Sequence, residues 1–388
     1  MICDINNFIN KKEFTLRTTD NNKWQELLSS KGLEEKFLDK DKNYIIKYKK
    51  NLLEKPDYIN IGKLRSVVCQ NDQVLSFSPP KCLDYNEFIQ KYPYNECYAE
   101  DYIEGTMISV YYNNIESKWE ICSKSAIGAN VYFYDKNITF DKMFYEACQK
   151  CSFNIESLPK NYSYTFILQH PSNKIVLNIT FPFIYLIKVY EINENLVKQL
   201  DLYTFLANHN ILKNTENILT IGIPNCYPII SYDSLYEYFG SNNTSIYYPG
   251  IMIYHKDGER TRIRNPVYQD VKYLRGNQPK LFYQYLELRK QNKVKDYLYY
   301  FPESKNNFSE YRNILHRFTL TLFENYISCF IKKEKPLKEY AFQYKIHMYN
   351  LHNLYITNKE SIKKKSVVDY INNLDSAQIL YILNFKNE

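Results

Sequence analysis

Ala99–Tyr112 reads AEDYIEGTMISVYY, two strand-like runs separated by the pair Glu104-Gly105. β-Branched and aromatic residues favour a pleated backbone, and a glycine after an acidic residue accepts the positive φ of a tight turn. With only 9 glycines in 388 residues, the pair reads first as turn chemistry. Its further meaning depends on what surrounds it.

Working outward, residues 63–177 carry short β-rich runs: LRSVVC (64–69), QVLSF (73–77), TMISVYY (106–112), KWEICS (118–123), NYSYTFILQ (161–169) and KIVLNI (174–179). Turn residues such as Asn71-Asp72 and Asn113-Asn114 separate them. Apolar spacing predicts helices over 22–38, 141–150 and 231–239, and the segment around Pro56 ends whatever precedes it. GIMIYH and RTRIR flank Lys256-Asp257-Gly258 and predict a hairpin over 250–264. Beyond Pro279 the apolar period becomes 3.6, which predicts three helices over 280–301, 309–333 and 337–356, with one or two more in 366–384. The fold class is therefore α+β: antiparallel sheets with flanking helices over residues 1–278, opened by a helical segment 1–60, then an all-helical domain over 279–388.

Composition excludes several functions. The 40 Tyr and 22 Phe accompany abundant Asn, Lys and Ile, residues with A+T-rich codons, so a single tyrosine carries little functional weight. The N-terminus has no secretory pattern, and the most apolar run, FPFIYLIKVY, is interrupted by Lys188, so neither secretion nor a membrane span is expected. Cys148 and Cys151 form a CxxC without the second pair that a structural zinc site requires, and no metal is expected. No Ser-His-Asp set, P-loop or dinucleotide fingerprint is present. Net charge is +7, and the stretch Lys256–Lys295 alone holds eleven Lys/Arg against four Asp/Glu. Such a local surplus points to a polyanionic partner such as RNA or another nucleic acid.

Four stretches carry the candidate chemistry, in order: KLRSVVCQNDQVLSFSPPK (63–81); DYIEG (101–105) with KWEICSKSAIG (118–128); YTFILQHPSNKIVL (164–177) followed by FIYLIKVYEIN (183–193); and YYPGIMIYHKDGERTRIR (247–264). Together they resemble the adenylyltransferase domain of phage-type RNA ligases, kin of DNA ligases and mRNA capping enzymes, and the RNA-ligase-like proteins of giant DNA viruses. The resemblance spans roughly residues 60–350 and implies a nucleotidyltransferase fold. In that family the lysine of K-x-[DN]-G attacks the α-phosphate of ATP. Here the tetrad is Tyr102-Ile103-Glu104-Gly105, so Tyr102 stands at the nucleophile position, and a phenol with an ordinary pKa near 10 is a poor substitute. Ile167 and Pro249 stand where the family has carboxylates that serve nucleotide and metal.

The cations persist. Arg65, Lys81, Lys124, Arg262 and Arg264, with Glu104 and Gly105, fall where the resemblance implies nucleotide or phosphate binding. Lys272, Arg275, Lys280, Arg289 and Lys290, interleaved with Tyr273, Phe282, Tyr283 and Tyr285, form a candidate nucleic-acid-binding cluster. The implied function is an RNA-ligase-like pseudoenzyme that retains nucleotide or RNA binding, in a viral factory of the host cytoplasm or in the virion, with a protein partner on the helical domain. One alternative is an active ATP- and Mg²⁺-dependent ligase with a displaced lysine such as Lys124. Another is a virion protein that uses the fold as scaffold.

Overall fold

The computed structural model describes residues 1–388 except 38–42, 52–59, 210–219, 279 and 385–388, so Pro56 and Pro279 lie outside the described residues. Two compact units, Met1–Asp270 and Val271–Glu388, make up the chain. The first contains the strands β1 (Ile2–Asp4), β2 (Leu33–Phe37), β3 (Asn43–Tyr48), β4 (Val67–Gln70), β5 (Gln73–Phe77), β6 (Cys97–Asp101), β7 (Thr106–Asn113), β8 (Lys118–Ser123), β9 (Ala126–Ile127), β10 (Tyr162–Gln169), β11 (Phe183–Asn193), β12 (Leu196–Gln199), β13 (Cys226–Tyr227), β14 (Gly250–His255) and β15 (Arg260–Arg264). They form three antiparallel sheets. One has seven strands in the order β1-β12-β11-β10-β7-β8-β9, and two have four, β13-β6-β14-β15 and β2-β3-β4-β5. The expected class, antiparallel sheets with flanking helices and an all-helical C-terminal part, is the one the chain adopts.

The two faces of the long sheet follow from strand period. On β7, Ile108 and Val110 point into the main core with Phe166, Leu168, Ile184 and Leu186. A helix covers that face because Phe140, Met143, Phe144 and Ala147 recur at i, i+3, i+4 and i+7 along Phe140–Lys150. Tyr111 of β7 and Cys122 of β8 face the other way and meet Ile45 and Val68 of the β2–β5 sheet. The third sheet buries Ala99, Ile251, Ile253 and Ile263 beneath Phe88, Leu235 and Phe239 from two short helices, Tyr85–Lys91 and Tyr232–Phe239.

Val271–Glu388 is helical. Its longest helix, Lys305–Tyr326, buries Phe308, Leu315, Phe318 and Leu322, and the helices Leu281–Lys290, Phe342–Asn358 and Lys364–Asn373 pack against it. Among the described residues no helix is long and apolar enough to cross a membrane.

Four sequence expectations change. The helix predicted over 22–38 ends at Ser30, because Gly32 at φ +68° breaks it and Leu33–Phe37 pairs with β3 as a strand. KIVLNI is not a strand, since the Val176 and Leu177 amides donate to the Glu104 carboxylate instead of a ladder. The helix predicted over 280–301 is two, Leu281–Lys290 and Val294–Tyr300, split where Asn292 takes φ +57°. Finally, Tyr102–Gly105 is no hairpin turn. β6 and β7 belong to different sheets, and this segment carries the chain from one to the other.

Candidate functional site

The crossing from β6 to β7 borders a cavity of about 170 Å³. Tyr102 and Gly105 come from the crossing itself, Met107 and Ile167 from paired positions on β7 and β10, and Arg260 and Arg262 from β15. Arg65, just ahead of β4, completes a cationic wall. Gly105 is required here: its φ is +151°, and a Cβ would stand 2.4 Å from the Leu168 carbonyl oxygen and 2.5 Å from Ile167 Cγ2. The glycine of the opening stretch therefore lets two sheets meet at the cavity.

Tyr102 does not present a free hydroxyl. Arg262 Nη1 donates to the phenol oxygen at 3.1 Å, and the guanidinium carbon lies 5.6 Å from the ring centroid. Arg260 is buried and spends its donors on the backbone carbonyls of Pro79 (3.2 Å) and Pro80 (2.8 Å). Burial, then repulsion from Arg260 and Arg262, lowers the pKa of Arg65, a sign of positive charge crowded into one place.

Two carboxylates also line the cavity, a feature sequence reasoning missed. Glu100 binds the ammonium of Lys188 at 2.8 and 3.0 Å, with both side chains almost wholly buried. Asp101 accepts from the Asn225 amide groups and from the Tyr227 hydroxyl. Lys188 Nζ lies 3.9 Å from the centre of the Tyr254 ring. Burial works against its charge, yet Tyr254, Glu100 and Tyr98 outweigh burial and raise its pKa, so the amine is held as an ammonium. The one sequence sign of this pair was a lone lysine inside an apolar strand.

The other predicted residues divide. Tyr102, Ile167, Gly105, Arg65 and Arg262 share the cavity. Glu104 does not line it; its buried carboxylate accepts from the Val176 and Leu177 amides and, at 2.6 Å, from the Tyr268 hydroxyl, which ties the crossing to the rest of the unit. Pro249 is also outside the lining, with its carbonyl accepting from the Asn265 amide. Arg264, two residues beyond Arg262, is exposed and outside the lining. Lys81 is outside the lining and its amide donates to the Gly62 carbonyl. Lys124, in the turn between β8 and β9, sits 5.1 Å from the Tyr48 ring. Burial and then Arg65, Lys47 and Lys50 push its pKa down to about 8.

In the helical unit, Lys272 and Arg275 occupy one helix end, Arg289 and Lys290 another, and Lys280 precedes the helix Leu281–Lys290. Of the interleaved aromatics, Tyr285 is buried and Phe282 stacks on Tyr311 at 4.3 Å, while Tyr273 is exposed. Those first two therefore serve the core.

No family model matches the chain, and no curated protein matches it. Solved structures to which it is similar include those of an RNA ligase. A Naegleria gruberi RNA ligase mutant with ATP and Mn is 12% identical over 57% of this chain and 68% of that one, with a TM-score of 0.39. Another mutant of that ligase with ATP and Mn is 12% identical over 48% and 54%, with a TM-score of 0.37. In the latter match the chain spans about half the ligase's length.

Proposed function

We propose that this chain is an RNA-ligase-like protein that binds a phosphate-bearing nucleotide or RNA end through the cationic cavity and does not adenylylate itself. The observation that carries the reading is the Tyr102–Arg262 contact. A phenol held by a guanidinium occupies the position to which the resemblance assigns the reactive lysine. Among the described residues no lysine lines the cavity, and the carboxylates of Glu100 and Asp101 are already engaged. A hard cation needs free oxygen ligands, so ATP with Mg²⁺ fits these residues poorly. A small anion fits better. Arg65 and Arg262 supply charge and fork geometry for a phosphate, and about 170 Å³ is below the roughly 300–1,000 Å³ usual for drug-sized ligands.

Charge reversal tests the reading. Arg262→Glu and Arg264→Glu together should weaken binding of a 5′-phosphorylated RNA oligonucleotide and flatten the dependence of log affinity on log salt. Unchanged affinity and slope would refute it.

One observation favours a second reading, an active transferase with a displaced nucleophile. The lowered pKa of Lys124 leaves a fraction of its amine neutral near pH 7, as a nucleophile requires. A labelled peptide containing Lys124 would support that alternative.

A further inference from the structure

A second pocket, of about 520 Å³, lies elsewhere in the Met1–Asp270 unit. Tyr112 and Trp119, direct partners across β7 and β8, contribute two aromatic walls. Tyr145, from the helix Phe140–Lys150, and Phe153, just beyond that helix, contribute two more, and Lys118 and Lys160 complete the polar lining on the cationic side. Strand geometry separates this pocket from the cavity. Met107 lines the cavity and Tyr112 the pocket, and five residues of strand at about 3.4 Å each place them ~17 Å apart. An odd spacing also puts them on opposite faces of the sheet, so one ligand cannot occupy both sites.

Three features specify a ligand. The first is the concentration of aromatic side chains; Tyr145 is 47% exposed, so its ring is available to a flat partner. The second is Glu156, whose carboxylate lines the pocket and can accept from an exocyclic amine. The third is charge. Lys118 pairs with Glu116 at 2.7 Å and Glu120 at 3.3 Å, whereas Lys160 lies 4.1 Å from the centre of the Tyr112 ring and has no carboxylate in ion-pair range among the described residues.

A quaternary ammonium suits aromatic walls, but here it would meet two lysines, one of them already on the Tyr112 face. A purely apolar ligand would leave Glu156 and Lys160 unmet. A purine nucleotide meets all three demands: a flat base for the Tyr145 ring, an exocyclic amine for Glu156, and a phosphate for Lys160. The volume falls within the range of roughly 300–1,000 Å³ typical of such ligands.

We propose that this pocket is a nucleotide-binding site, distinct from the cationic cavity, in which the base stacks on Tyr145 while Lys160 holds the phosphate. The chain has two tryptophans, and Trp24 is fully buried in a separate core. In Trp24→Phe protein, fluorescence therefore reports Trp119 alone. Titration with adenosine 5′-monophosphate should give saturable quenching. Equilibrium dialysis of radiolabelled AMP with the otherwise unmodified chain provides the same reading should Trp24→Phe fail to fold. Tyr145→Ala, a substitution of a half-exposed helix residue, should weaken AMP about tenfold, the scale of one lost stacking contact. Lys160→Ala should abolish the preference for AMP over adenosine, and Arg262→Ala should leave binding intact. No saturable binding at millimolar AMP would overturn the proposal. So would binding that Arg262→Ala removes and Tyr145→Ala does not, which would assign the nucleotide to the cavity and leave the reading of that cavity standing.

Discussion

Replacing Glu100 by glutamine tests the electrostatic floor of the cavity. Lys188 and Glu100 are 2% and 4% exposed, and their charged atoms approach to 2.8 Å. Removing one charge from such a pair leaves the other buried and uncompensated, which costs about 3–5 kcal/mol. Glutamine keeps an oxygen that can still accept from the ammonium, so Glu100→Gln should fall at the low end, about 3 kcal/mol. Both tryptophans lie in Met1–Asp270, so urea unfolding followed by their fluorescence reads this unit. The corresponding fall in midpoint temperature is about 6–12 °C. The double variant Glu100→Leu with Lys188→Met should lose much less than the sum of the two single variants. Because the pKa of Lys188 is raised, its stabilising contribution is fully present below its unfolded value of 10.5 and declines only as pH rises through the higher folded value. The effect should therefore be flat between about pH 6 and 9. A loss under about 1 kcal/mol would mean that water reaches the pair, and the argument that Lys188 is a locked ammonium would fail.

Two further outcomes concern neighbouring positions. Gly105→Ala forces a Cβ against the Leu168 carbonyl oxygen at a backbone angle that L-residues rarely adopt; urea unfolding should show a loss of about 2–4 kcal/mol, and a change within 0.5 would show that the sheets yield. Lys124, labelled by reductive ¹³C-methylation, should titrate near pH 8 by NMR. Since its folded pKa lies below the unfolded 10.5, the unfolded chain binds more protons between these values and stability should rise with pH across that window; Lys124→Met should remove that increment, and an unchanged slope would contradict the shift.

Local chemistry made much of this fold legible. Asp257-Gly258 marked the hairpin, and its strands β14 and β15 pair from Gly250 with Arg264 to Tyr254 with Arg260. Residues two apart on a strand share a face, so Arg260, Arg262 and Arg264 fall together on β15, and of these Arg260 and Arg262 line the cavity. Leu33–Phe37 misled because its apolar residues continue a helical spacing across Gly32, and only pairing with β3 decides the outcome. Glu104 was legible as a turn residue but not as the acceptor of Val176, Leu177 and Tyr268, partners 72 to 164 residues away. Contacts at that separation are set by sheet topology, which local pattern does not encode. For the same reason Glu100 and Lys188, 88 residues apart, could not be matched from sequence.

The most direct test incubates the purified chain with α-³²P-ATP and Mg²⁺ and measures the radioactivity that stays on the protein through denaturing electrophoresis without acid treatment. With Tyr102 held by Arg262 and Lys188 held by Glu100, the account predicts none. A stoichiometric label that maps to a lysine, lost in acid and retained in alkali as a phosphoramidate is, would contradict it.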